Sequence, residues 1–215
     1  MDSGVLRDTE RYSFADEYHR LPEHSLRIGI VSDLHCNVAG LAQALDLMGD
    51  VEELICLGDS IWEYRFSNEI VRLLKERGAH TILGNHEEGF FGPQGARARQ
   101  PEWIDRSLVD WLAQRPHRLE LELSGKRLLA VHSTPWEPRG TYVYPHDTLL
   151  ERFAEADADF ILYGHTHHQL VHRYGKVLVI NPGSAGDARD PGNGRRLSCA
   201  VLDTVSEEVA VTDFL

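Results

Sequence analysis

Thiols are scarce in this chain: 215 residues hold three cysteines, Cys36, Cys56 and Cys199, with no C-x-x-C pair. An odd, widely spaced set gives no disulfide framework and fits a reducing, cytoplasmic setting. Long hydrophobic runs are missing too. No stretch approaches the ~18 apolar residues of a spanning helix, so no membrane partner is expected. The start, Met1-Asp2-Ser3-Gly4, leads into charged Arg7, Asp8, Glu10 and Arg11, which argues against a signal peptide. Basic charge is in deficit, with 22 Lys and Arg against 34 Asp and Glu and a net charge of −12. Long nucleic acid and anionic lipid both need a basic face, so neither is an expected partner. A small phosphate ester stays open, because bound cations can reverse the sign of a local site. Internal repeats and linkers are also absent. The length suits one domain that buries roughly 70% of its unfolded surface, read as a polar arm over 1–25 and a single domain over 26–215.

What the chain does have is short apolar runs: Ile28–Val31, Leu54–Leu57, Leu128–Val131, Phe160–Tyr163 and Val177–Ile180, with Thr81–Leu83 weaker. Apolar residues at consecutive positions predict strands covered on both faces. Helical spacing fills the gaps. Val38, Leu41, Ala42, Leu45 and Met48 follow Asn37 as N-cap; Ile70, Val71, Leu73 and Leu74 follow Ser67, with Gly78 placed to end the helix. Trp103, Ile104, Leu108, Trp111 and Leu112 make a third stripe, and Leu149, Leu150, Phe153 and Ala154 a fourth behind Asp147. Residues 199–204 and 209–214 read as a closing hairpin. The alternation predicts an α/β protein, with Gly89–Arg99 and Ala185–Arg196 as its mobile loops.

Twelve histidines are many, and their positions matter more than their number. Asp33, His35 and Asn37 follow the first apolar run, Asp59 the second, Asn85 and His86 the weak one, His132 the next, and His165 and His167 the next. In open α/β sheets, ligands collect outside the carboxyl ends of strands. Singly, each residue has a plain explanation: a helix cap for Asp33 or Asp59, a turn for Asn85, a hydrogen-bonded core imidazole for His132. His165 and His167, alternating along an extended segment, would turn both rings to one side and share one cluster. Gathering the two Asp, Asn85 and the five His without a cation would be costly. Imidazole, carboxylate and amide donors without thiolate suit Mn, Fe, Zn, Co or Ni better than Mg or Ca.

The order Asp33-x-His35, Gly58-Asp59, Gly84-Asn85-His86-Glu87, His132 and Gly164-His165-Thr166-His167 resembles the calcineurin-like metallophosphoesterase superfamily. His132-Ser133-Thr134-Pro135-Trp136, Tyr142-Val143-Tyr144-Pro145 and Asn181-Pro182-Gly183-Ser184 look like its small single-domain bacterial and archaeal phosphodiesterase branch. The resemblance implies two mixed β-sheets packed as a sandwich, with helices on both outer faces. It implies two divalent ions, manganese favoured. Asp59 would bridge them; Asp33, His35 and His167 would complete one, and Asn85, His132 and His165 the other. A metal-bridging hydroxide would attack in line, and His86 would donate a proton to the leaving oxygen or clamp the phosphoryl group. The expected substrate is a small nucleotide-like diester. A dinucleotide polyphosphatase, a phosphomonoesterase and a non-catalytic scaffold on the same fold are the alternatives, and a homo-oligomer is compatible with all of them.

The sequence departs from the superfamily pattern after Gly58-Asp59. Trp62 stands where many phosphomonoesterases of this superfamily carry the Asp that orients the histidine, and Glu63 where they carry Arg. This predicts a loosely held His86 and disfavours a dianionic monoester, which needs strong cationic grips. Trp62, Tyr64 and Arg65 are the candidate substrate contacts. Phe90, Phe91, Trp136, Tyr142 and Tyr144 also follow motif blocks and could stack a base or anchor loops. Glu87 replaces the usual Asp as a tolerated change beside the ligands. Cys36, in place of the family's Gly, reads as space-filling or as an oxidisable pocket thiol.

Overall fold

The computed structural model describes residues 25–215, so the arm expected over 1–25 lies almost wholly outside the described residues. From there the chain runs β1 (Arg27–Val31), α1 (Val38–Met48), β2 (Glu53–Cys56), α2 (Asn68–Glu76), β3 (His80–Thr81), α3 (Asn85–Phe91) and α4 (Arg106–Ala113). It continues through β4 (Arg118–Leu123), β5 (Lys126–Val131), β6 (Phe160–Leu162), β7 (Gln169–Tyr174), β8 (Val177–Pro182), β9 (Leu197–Asp203) and β10 (Val209–Phe214). Two five-stranded sheets result, ordered β10-β9-β1-β2-β3 and β4-β5-β6-β8-β7. Each has a parallel centre, β1-β2-β3 and β5-β6-β8, and antiparallel strands outside it.

Strand alternation explains the runs that are apolar on both faces. Ile28, Ile30, Ile55 and Leu57 face Leu128, Ala130, Phe160, Leu162 and Ile180 in a core between the sheets. The intervening Val31 and Cys56 point outward onto Leu41, Ile70 and Leu74 of α1 and α2. Leu129, Val131, Ile161 and Tyr163 point outward on the other sheet, where Leu150 and Phe153 cover them. The caps are those read from the sequence: Asn37 Oδ1 accepts from Gly40 N at 2.9 Å, and Ser67 Oγ from Ile70 N at 3.2 Å. Gly78, at φ +65°, takes the left-handed turn after α2.

Several expectations are corrected. The fourth stripe, over Thr148–Glu155, is a 3₁₀ helix, and α4 starts beyond Trp103, which is 60% exposed. Gly89–Arg99 is no mobile loop: it holds the end of α3 and a 3₁₀ turn over Pro93–Ala96, buries Phe90 completely, and is pinned by Arg99 Nη1 on the Gly92 carbonyl at 3.0 Å. Two strands, β4 and β7, lie outside the apolar runs that predict strands. Both are sheet edges, where one face stays wet and the apolar run thins.

Candidate metal centre

The turns after β1, β2, β3, β5 and β6 are laced together by their backbones. Asp33 N and His35 N donate to the Gly58 and Asp59 carbonyls (3.1 and 3.0 Å), and Gly164 N to the His132 carbonyl (3.0 Å). These turns are sharp. Asp33, His35, Cys36, Asp59, His165 and His167 all have φ between 46° and 67°. Each such non-glycine residue costs roughly 1–2 kcal/mol, and such conformations gather where function constrains the chain. This also corrects the route by which His165 and His167 arrive. They lie on no extended segment, and their rings go to different groups.

One group joins Asp33, His35 and His167. Nε2 of His167 lies 3.1 Å from Nε2 of His35 and 3.3 Å from Oδ1 of Asp33. The other joins Asn85, His132, His165 and Asp59: Nε2 of His132 lies 3.1 Å from Asn85 Oδ1, 3.1 Å from His165 Nδ1 and 3.2 Å from Asp59 Oδ2. Asp59 also gathers with His35 and His86, their ligand atoms within 4.8 Å of one another, so its carboxylate stands between the groups.

Outer contacts aim these donors. Asp33 Oδ2 accepts from Ser32 Oγ (2.6 Å) and His165 N (3.0 Å), while Oδ1, fully buried, has no hydrogen-bond partner. The ring nitrogens Nδ1 of His132 and His167 donate to the Leu57 and Asp187 carbonyls (2.7 and 2.8 Å), which turns each Nε2 lone pair inward. Buried lone pairs converging without donors between them are what a divalent cation satisfies, and the residues fit one in each group.

The electrostatics agree. Burial pulls His132 down, but the adjacent Asp59 and then Asp33 outweigh it and push the imidazole up to about 10. His167 rises likewise against burial, through its contact with Asp33. Burial pulls His35 and His165 down to about 4. Asp33, despite burial, is held below the carboxylate range by His167, His132 and His35.

His86 sits at the rim, its Nε2 3.8 Å from Asp59 Oδ2. Its Nδ1 is paired with the carboxylate of Glu63. The expectation of a loosely held His86 is therefore overturned: Glu63, one position beyond the missing Asp, reaches the ring. Glu87, fully buried, accepts from the backbone N–H of Asp59, Ser60, Ile61 and Gly84 at 2.7–3.2 Å and fixes the β2 turn. At Gly84 a Cβ would meet Asp59 Oδ1 at 2.2 Å, so only glycine allows that approach.

Of the candidate substrate contacts, Trp62 is beside the cluster, stacked on His35 at 3.9 Å and edge-on to His86 at 4.7 Å. Tyr64 is 63% exposed and Arg65 exposed, and no side-chain contact among the described residues ties either to the cluster. Phe90 packs on Phe66 and Phe91, and Trp136 on Phe153, as anchors. Cys36 is buried, donates to the Arg65 carbonyl, and burial raises its thiol to about 11, which favours the space-filling reading.

Residues 26–207 match the calcineurin-like phosphoesterase superfamily domain. An uncharacterized protein of Methanocaldococcus jannaschii, MJ0912, is 28% identical over 192 residues, covering 76% of this chain and 77% of the relative. The phosphodiesterase MJ0936 of the same organism is 25% identical over 167 residues, covering 74% and 83%. A metallophosphoesterase structure from Sphaerobacter thermophilus has the same fold, with a TM-score of 0.73, 24% identity and 89% of each chain covered. On fold, motif order and matched length alike, the chain belongs to the calcineurin-like phosphoesterase superfamily.

Proposed function

We propose that the protein is a metal-dependent phosphodiesterase acting on a small nucleotide-like substrate. Asp33, His35 and His167 would hold one divalent transition-metal ion and Asn85, His132 and His165 a second, with Asp59 shared and manganese favoured. The observation that carries this reading is the unpartnered, buried Oδ1 of Asp33, converging with inward-facing imidazole nitrogens. Ions held there would supply Lewis acidity for the phosphoryl oxygens and acidify water.

The chain's own groups do the rest. With Nδ1 fixed on Glu63, the ring of His86 presents Nε2 to the cluster, placed to give its proton to the departing oxygen. Glu63 steadies the ring's orientation. Among the described residues, no Lys or Arg side chain is hydrogen-bonded or ion-paired to the eight cluster residues. That supports a diester, with one charge to neutralise, over a dianionic monoester. The relative named a phosphodiesterase points the same way. The buried thiols suit a reducing compartment.

The test is metal analysis of the purified protein, then assay of diesters, monoesters and dinucleotides with Mn²⁺ restored. Metal-dependent cleavage of small diesters above monoesters is expected. A protein that binds no metal, or that binds it and hydrolyses no phosphoester, would refute the reading in favour of a scaffold.

A further inference from the structure

We propose that Tyr142 and Tyr144 form the shelf on which the nucleoside of the substrate lies. The Tyr142 ring stacks on the imidazole of His165, centroids 3.8 Å apart and planes 25° apart. Tyr144 follows at 6.1 Å with its plane within 12° of Tyr142, and rests edge-on against His168 at 5.0 Å. The two tyrosines are 49% and 44% exposed. An aromatic surface thus runs outward from one metal-facing residue into solvent.

The shelf is held rigid from beneath. Val143, between the tyrosines, is buried, and its carbonyl accepts from the Tyr163 hydroxyl at 3.3 Å. Alternation then places Tyr142 and Tyr144 on the opposite side. Ser133 Oγ donates to the Thr141 carbonyl, and Asp147 N to the Tyr144 carbonyl at 2.9 Å, closing the segment at both ends. Preorganised rings lose little freedom when a ligand stacks on them.

A phosphoryl group at the cluster and an aromatic surface leading away from it match a nucleoside phosphate. Trp62 is less suited, since it is less exposed than either tyrosine, with His35 on one face and His86 edge-on to it.

The inference rests on the diesterase reading for where the phosphate sits, but the two fail separately. Calorimetry on the Mn²⁺-loaded protein should find AMP binding at least ~10-fold tighter than ribose 5-phosphate, within the usual worth of base–aromatic stacking. Tyr144→Ala should remove most of that preference and leave ribose 5-phosphate binding unchanged, and Tyr144→Phe should restore it. Equal binding of the two ligands, no AMP binding, or an unaltered preference in Tyr144→Ala would overturn the shelf. Diester cleavage without AMP preference overturns the shelf alone. AMP preference without diester cleavage overturns the diesterase reading and leaves the shelf.

Discussion

The imidazole of His86 lies between two carboxylates, Glu63 at Nδ1 and Asp59 3.8 Å from Nε2. A proton donor in that position matters in proportion to how badly the leaving group needs the proton. With nitrophenolate leaving, His86→Ala should keep much of its kcat; with a ribose alkoxide leaving it should fall by about 10²–10⁴-fold. Glu63→Gln should reproduce the same substrate dependence with a smaller loss, and neither variant should lose metal. Steady-state kinetics on both substrates, with elemental analysis, checks this. A variant that keeps its metals and slows both substrates alike would make His86 a phosphate clamp. The contact itself could not be read from the sequence, because Glu63 stands at the position of an Arg and lies 23 residues from His86.

Titration of the cluster gives a second outcome at the same scale. His132 keeps its proton in the folded chain up to about 10, above its ordinary 6.5. Its contribution to stability is full below 6.5 and is lost as pH rises through about 10. His35 and His165, pulled down to about 4, work oppositely: the unfolded chain takes their protons first, so stability falls as pH drops from 6.5 towards 4. The chelated protein should therefore melt highest near neutrality, and Mn²⁺, replacing the His132 proton, should flatten the alkaline limb. Calorimetry from pH 4 to 10 with and without metal tests this; a chelated protein equally stable at pH 7 and 10 would contradict it.

Among the elements, α3 does two tasks from seven residues. Its start carries Asn85 and His86 to the cluster, and Glu87 holds the β2 turn through four backbone N–H groups. Glu87→Gln would set an amide NH₂ against donors in place of one carboxylate oxygen. Unsatisfied buried donors cost ~1–3 kcal/mol each, so thermal unfolding should fall by several degrees and metal affinity with it. An unchanged melting temperature would remove the structural role. The helix was hidden in the sequence because the charged Glu87 is among its buried residues, Gly84 precedes it and Gly89 lies within it. By contrast β1, β5 and β6 were legible, since both their faces are buried and neither face carries a polar signature. Edge strand β4 alternates Leu119, Leu121 and Leu123 with Arg118, Glu120 and Glu122, a half-buried period-two pattern with no continuous apolar run to mark it.

At the scale of the whole molecule, the cluster spans the sandwich. One sheet delivers Asp33, His35, Asp59 and Asn85, and the other His132, His165 and His167. The order of these residues along the chain was readable because strand ends punctuate each motif. Their division into two groups follows from the family resemblance and not from spacing, since it depends on left-handed turns at His165 and His167. Ions shared across the sheets should tie the layers together, so saturating metal should raise the melting temperature, as any ligand of the folded state does.

The most direct measurement is anomalous diffraction from crystals grown with saturating Mn²⁺. The account predicts two peaks per chain, one among Asp33, His35 and His167 and one among Asn85, His132 and His165, with Asp59 touching both and His86 neither. Asp59→Asn should lose them together with activity. A single peak, or one ligated by His86, would contradict the assignment.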